Sequence, residues 1–187
     1  MGLDYLKATQ ENSSLVQFSE FVLALKAIPR KGWQKKLGMK KPESVADHAY
    51  SVATLAMILS DARGLDSAKI IKMALLHDLA ESLTGDITPD EMPRAKKEKL
   101  EHTAMKKILG TLDAKLQKQY HSIWTEYERN DTKEAKLLHQ IDKLEMILQA
   151  GAYGKNGITQ KKLAPFFDSA KKQITDLELA KILTSLE

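Results

Sequence analysis

The segment IIKMALLHDLAESL, residues 70–83, is apolar around almost its whole helical circumference, and the break in it is an adjacent His77–Asp78 pair. A helix that is hydrophobic on every side belongs at the centre of a fold, so these residues predict a buried central helix, capped by Asp66 or Ser67. The other segments read as its packing partners. Val16, Phe18, Phe21, Val22, Leu25 and Ile28 recur at helical spacing, predicting an amphipathic helix over 16–28 that Pro29 ends. PRKGW at 29–33 reads as a basic connector. A further helix begins near Ser44, where Ser-Val-Ala-Asp resembles a capping pattern, and runs through Val52, Leu55, Ala56 and Leu59 toward Gly64.

Residues 84–93, TGDITPDEMP, combine a glycine with two prolines and predict a loop. Stretches 94–110, 114–129 and 132–150 each carry helical patterns, with Gly110 and Gly151 suited to the ends of two of them. GKNG at 154–157 reads as a turn. The remainder predicts one or two short helices that pack through Leu177, Leu179, Ile182, Leu183 and Leu186. No stretch alternates as a strand does, and there is no internal repeat or linker. The expectation is an all-α fold in a single domain over residues 1–187, with the motif-bearing region at about 29–153 and C-terminal helices over 158–187.

Composition narrows the chemistry. With no cysteine, thiolate nucleophiles, disulfides, iron–sulfur clusters and cysteine-rich zinc sites are excluded, and any metal must be held by His, Asp or Glu. No apolar run approaches a membrane span, and MGLDYLKATQENSS lacks both a secretory pattern and the Ser/Thr of a myristoylation signal; a soluble, cytoplasmic protein is expected, with no membrane partner. The formal charge of +4 mildly favours anionic ligands. The densest basic stretches, KKLGMKK at 35–41 and RAKKEK at 94–99, lack interleaved aromatics, so a nucleic-acid partner is not expected.

A buried Asp costs several kcal/mol unless it is paired or coordinates a metal, so His77–Asp78 calls for a partner. Two readings are open: Asp78 paired with a Lys or Arg beside a His77 bonded to a backbone carbonyl, or both residues on a metal. Two other helices carry comparable interruptions. His48 lies near a helix start in SVADHAYSVATLA, and Asp142 shares an apolar helical face with Leu138 and Met146 in AKLLHQIDKLEMILQA. Together His48, His77, Asp78 and Asp142 would make an N₂O₂ set with positions left for water and substrate, which suits a catalytic site. Glu81, one turn beyond the His–Asp pair, would stand on the same face, where a carboxylate can deprotonate the attacking water or protonate a leaving oxygen. Asp86 in the Thr-Gly-Asp turn is a candidate to hold that water or a sugar hydroxyl, or simply a turn residue.

Distributed over helices, H…HD…D resembles the HD-domain metal phosphohydrolase superfamily. Longer strings, PRKGW, KPESVADHAYSVA at 41–53, LLHDLAESLTGDITP at 75–89 and EAKLLHQIDKLEMILQAGAY at 134–153, resemble its 5′-deoxynucleotidases of the archaeal and eukaryotic type. That resemblance implies hydrolysis of deoxyribonucleoside 5′-monophosphates to deoxynucleoside and phosphate, by a homodimer using a divalent cation. By position it assigns His48, His77, Asp78 and Asp142 to the metal and Glu81 to catalysis. It assigns Asp86, Ile87 and Thr88 to a substrate loop, and Arg30 to the substrate. In the bacterial branch an adjacent Arg and Trp act together; here Lys31 and Gly32 separate Arg30 from Trp33.

One divalent ion is expected, and Co, Mn, Mg, Ni, Zn and Fe all suit such ligands. Of the other histidines, His102 among Lys and Glu is read as solvent-facing, and His121 as an edge residue beside a Tyr120–Trp124–Tyr127 stripe. His139, three before Asp142, is read as support for it. Rival readings are an HD enzyme for a nucleoside triphosphate, alarmone or cyclic dinucleotide, and a metal-containing binding protein without turnover. The chain is small for the first. It has no adjacent Glu–Asp pair shortly after His77–Asp78, as the alarmone type would. An intact Glu81 argues against a retired site.

Overall fold

The computed structural model describes residues 2–186, with side chains from Ser13 onward. Its helices are α1 (Gly2–Ala24), α2 (Lys31–Leu37), α3 (Val45–Ala62), α4 (Ser67–Leu76), α5 (Glu81–Thr84), α6 (Arg94–Leu109), α7 (Ala114–Arg129), α8 (Lys133–Lys155), α9 (Gln160–Gln173) and α10 (Leu177–Ser185). Among the described residues there is no strand, only an isolated antiparallel bridge between Pro29 and Ser44. The all-α expectation holds.

Local rules account for most of the boundaries. Ser44 caps α3 in a full capping box with Asp47, as its sequence predicts, and Asp66 caps α4. The first helix begins at Gly2, well before the expected 16, and its last turn tightens to a 3₁₀ turn over Leu25–Ala27 before Pro29. α8 runs through Gly151 to Lys155, past the expected end at 150. The glycine penalty of ~1 kcal/mol per residue is offset by packing: a Cβ on Gly154 would sit 3.3 Å from Leu163 Cδ1 of α9, so its absence lets the two helices close.

Two differences from the sequence reading matter for the site. PRKGW is no connector, because Lys31–Leu37 is a helix. Only Trp33 and Leu37 give it a buried face, too little pattern to be read as a period, and its first N–H, that of Lys31, donates to Asp86 Oδ2 at 2.7 Å from a distant loop. The central helix, for its part, stops at Leu76 instead of running through 70–83. Bonds from Leu79 N to Leu76 O, Glu81 N to Asp78 O, Ser82 N to Leu79 O and Leu83 N to Ala80 O (3.0–3.1 Å) wind the chain more tightly there. At about three residues per turn, side chains three apart eclipse, which stacks Glu81 over Asp78.

The core comprises two apolar clusters. One gathers α2, α3, α4, α8, α9 and α10 around Ile70, Met73, Leu138, Ile141, Leu144 and Ile147; the other gathers Leu25, Val45, Leu76, Leu79, Met105, Ile108, Leu109 and Trp124. Met73 and Ala74 belong to the first, Leu76, Leu79 and Ala80 to the second. His77 and Asp78 therefore lie at the seam between them, where polar side chains can meet without crossing apolar packing.

Candidate metal centre

His48 and His77 are almost fully buried, and each uses its Nδ1 in one short hydrogen bond: His48 with Glu145 Oε2 at 2.6 Å, His77 with the Ala74 carbonyl at 2.6 Å. A carbonyl can only accept, so His77 Nδ1 donates, and the lone pair of its Nε2 is left free. Both Nε2 atoms are buried and make no hydrogen bond. They point to the same place. Asp78 Oδ2 lies 3.2 Å from His77 Nε2 and 3.7 Å from His48 Nε2, and Asp142 Oδ1 lies 3.2 Å from His48 Nε2.

Those separations bear on the choice left open by the sequence. Both parts of the pairing alternative are present, since Arg30 Nη1 donates to Asp78 Oδ2 at 3.3 Å and His77 meets a carbonyl. That pairing leaves two buried imidazole nitrogens without partners, each of which costs roughly 1–3 kcal/mol. Ligand atoms around one cation at bond lengths of about 2.1 Å stand roughly 3.0–3.4 Å apart, close to the spacing seen here. The donor set fits a divalent cation. His48, His77 and Asp78 form one compact candidate group; Asp142 joins it through His48.

Electrostatics agree with that fit. Burial opposes the charged form of Asp78, but the neighbouring His77, then Arg30 and His48, hold its pKa well below the usual carboxylate range. Asp142 is likewise held low, against burial, by Lys143 at 2.9 Å and by His48 and His77. His48 is the exception. Burial and the Arg30 charge disfavour its cationic form, yet the nearby carboxylates of Asp142 and Glu145 prevail and raise its pKa to about 9.

A cleft of about 440 Å³ opens beside the cluster, lined by Arg30, Trp33, Glu81, Asp86, Ile87 and Thr88 together with residues of α6, α7, α8 and α9. Arg30 is brought there by the Pro29–Ser44 bridge, in which Arg30 N donates to Glu43 O at 3.0 Å and Val45 N to Ile28 O at 2.8 Å. The same bonds fasten the start of α3, and so His48, to Arg30. Glu81 is 2% exposed. Burial, then Asp78 and Asp86, push its pKa well up against the pull of Arg30 and Lys97. Asp86 spends one oxygen on Lys31 N, and Gly85 before it takes φ +72°, a turn that a side chain would strain. The loop is pinned to α2 by Lys35, which donates to Thr88 Oγ1 and Asp90, and by the Lys31–Glu91 pair. Trp33 is core as much as cleft wall: its Nε1 donates to Glu43 Oε1 at 2.8 Å and its ring packs on Tyr153 and Phe166.

The comparisons with known proteins agree with this arrangement. A family model described as HD domain matches residues 22–182. The chain belongs to the HD-domain family. It is 39% identical to human 5′-deoxynucleotidase HDDC2 over 93% of this chain and 85% of that one. To the 5′-deoxynucleotidase HDDC2 of Dictyostelium discoideum it is 42% identical over 85% and 89% of the two chains. A crystal structure of a Pyrococcus horikoshii protein superposes with a TM-score of 0.76 at 34% identity, covering 91% of this chain and 97% of the other. The family resemblance read from the motifs therefore holds.

Several residues around this HD domain's candidate site are not evident from the sequence. Glu145 lies three residues after Asp142 on the same buried face of α8, a second acidic break in an apolar stripe, and that repetition was the available signal. Glu43, within reach of His48 and Glu145, has its pKa raised by burial and by Glu145. Tyr127 packs edge-on against His77 and is stacked by His139, whose Nε2 bonds the Tyr127 carbonyl; His139 thus buttresses His77 through Tyr127, where support for Asp142 was expected. His102 and His121 are exposed on α6 and α7, each in a T-shaped arrangement with Trp124, and neither lines the cleft. Leu179 and Leu183 of the C-terminal stretch are buried in the chain's own core. Among the described residues no helix is long and apolar enough to cross a membrane.

Proposed function

We propose that this HD domain is a 5′-deoxynucleotidase that uses one divalent metal ion to hydrolyse deoxyribonucleoside 5′-monophosphates to deoxynucleoside and phosphate. The observation that carries the proposal is the pair of buried, partnerless Nε2 atoms of His48 and His77 facing Asp78 and Asp142 at the base of a cleft that also holds Glu81 and Arg30. The names of its relatives supply the substrate class.

His48, His77, Asp78 and Asp142 hold the cation, which when bound acidifies a water and withdraws charge from a phosphoryl oxygen. Glu81 accepts the proton of the attacking water as its oxygen bonds phosphorus. The P–O5′ bond breaks with its electron pair on the 5′ oxygen, which is then protonated from water. Arg30 neutralises phosphate charge; burial opposes its cationic form, but Asp78, Asp142, Asp86 and Glu81 outweigh that and keep it charged. Asp86, Ile87 and Thr88 contact the nucleoside, and Trp33 forms the wall behind it. The cleft, at about 440 Å³, suits a mononucleotide.

With this activity goes a cytoplasmic homodimer. The apolar groove between α1, α3 and α4, lined by Phe18, Val22, Tyr50 and Leu75, is its candidate surface, and sedimentation of the diluted protein tests that.

The test of the activity is phosphate release from a panel of dNMPs, NMPs, dNTPs and cyclic dinucleotides with Co²⁺, Mn²⁺ or Mg²⁺. Release confined to monophosphates, with deoxyribose preferred, supports the proposal. Turnover only of triphosphates or cyclic dinucleotides assigns the site to another HD chemistry, and no turnover of any of them makes it a binding site.

A further inference from the structure

Three cations of the cleft each stand at ion-pair distance from a carboxylate of the site, Arg30 from Asp78, Lys143 from Asp142, and Lys97 from Glu81, while Arg94 pairs with Glu98. We propose that Lys97 is a positioning residue for the reaction, holding Glu81 so that one chosen oxygen of its carboxylate faces the attacking water. This rests on the assignment of Glu81 as the proton acceptor.

Lys97 lies in the first turn of α6, and its Nζ stands 3.7 Å from Glu81 Oε1. On its other side it is tethered at 3.3 Å by Glu101, one turn along the same helix. Glu81 Oε2 is buried and makes no hydrogen bond among the described residues. The two oxygens are thus unequal: Oε1 is held by the ammonium, and Oε2 is left for a proton. Arg30 pairs with Asp78, and among the described residues Lys97 is the cation at ion-pair distance from Glu81. Its ammonium already lies between two carboxylates, so it is placed to act through Glu81 and not as a phosphate ligand.

The experiment is steady-state hydrolysis of a deoxynucleoside monophosphate by the metal-loaded protein carrying Lys97→Met, Lys97→Arg, Glu81→Gln, or Lys97→Met with Glu81→Gln. Metal content and thermal midpoint are recorded for each. Lys97→Met is expected to lower kcat about tenfold or more with KM changed less than about twofold, and Lys97→Arg to recover most of the loss. In the Glu81→Gln background, Lys97→Met should have no further effect, because the two residues act as one unit. A rise in KM at unchanged kcat would make Lys97 a substrate ligand and overturn the proposal. So would wild-type kinetics in Lys97→Met, an Arg variant as slow as the Met variant, or additive losses in the double variant. Full activity in Glu81→Gln alone removes the role of Glu81 and this inference with it, whereas a wild type inactive on every monophosphate removes the proposed function itself.

Discussion

His48 Nδ1 and Glu145 Oε2 meet at 2.6 Å in the buried interior, so the ring whose Nε2 faces Asp78 and Asp142 is oriented from behind by a carboxylate on α8. Such outer partners fix the orientation of a metal-binding imidazole and raise its basicity. Glu145→Ala should weaken metal binding by about 10–100-fold while the helical content stays native. Titration of the metal-free variant with Mn²⁺ or Co²⁺, read by calorimetry, measures this; unchanged affinity would show that the contact is packing only.

Asp78 and Glu81 share a face, and the proposed division of ligand and proton acceptor between them predicts that their variants separate. Asp78→Ala should lose both bound metal and turnover. Glu81→Ala should keep the metal and lose turnover by a factor of at least about 10². Metal analysis beside a phosphate-release assay distinguishes them. Wild-type activity in either would remove the mechanism proposed here.

The metal-free protein should respond to pH through His48. Its folded pKa of about 9 lies above the ordinary 6.5, so the stability it contributes is fully present below pH 6.5 and is lost as pH rises through 9. The loss amounts to at most ~3 kcal/mol by the usual conversion. The thermal midpoint of chelator-treated protein should therefore fall between pH 6.5 and 9, and that of the metal-loaded protein should not. Metal affinity should weaken as pH drops below 9, by up to about tenfold per unit, because the ion must displace that proton. A flat pH profile for both species would contradict the arrangement of His48 between Asp142 and Glu145.

Asp86 caps α2 from across the cleft, so its removal acts on Arg30 through the backbone. Asp86→Ala should destabilise the fold by about 1–2 kcal/mol, the usual cost of a lost cap, and raise KM more than it lowers kcat. Denaturant midpoints and steady-state kinetics test it together; a stable variant with normal KM would show that Lys31 N finds another acceptor.

The parts of this molecule that were legible in sequence are those governed by local rules. The capping box at Ser44 and the apolar periods of α3, α6, α7 and α8 can be read without tertiary information, and polar residues interrupting those periods pointed to His48, His77, Asp78 and Asp142. What was not legible depends on contacts distant in sequence. α2 owes its start to Asp86, which no local pattern announces. The tightened winding after Leu76 occurs where two apolar clusters meet, and a uniform helical wheel cannot represent that seam. Lys97 and Glu101 read as a solvated charge run until α6 is folded over α5, when Lys97 comes to face Glu81.

The most direct test is inorganic phosphate released from a deoxynucleoside 5′-monophosphate by the same preparation before chelation, after chelation, and after Mn²⁺ is restored. The expected result is release that disappears with the metal and returns with it. Release undiminished by chelation, or none under any of the three conditions, would contradict a metal-dependent deoxynucleotidase built on His48, His77, Asp78 and Asp142.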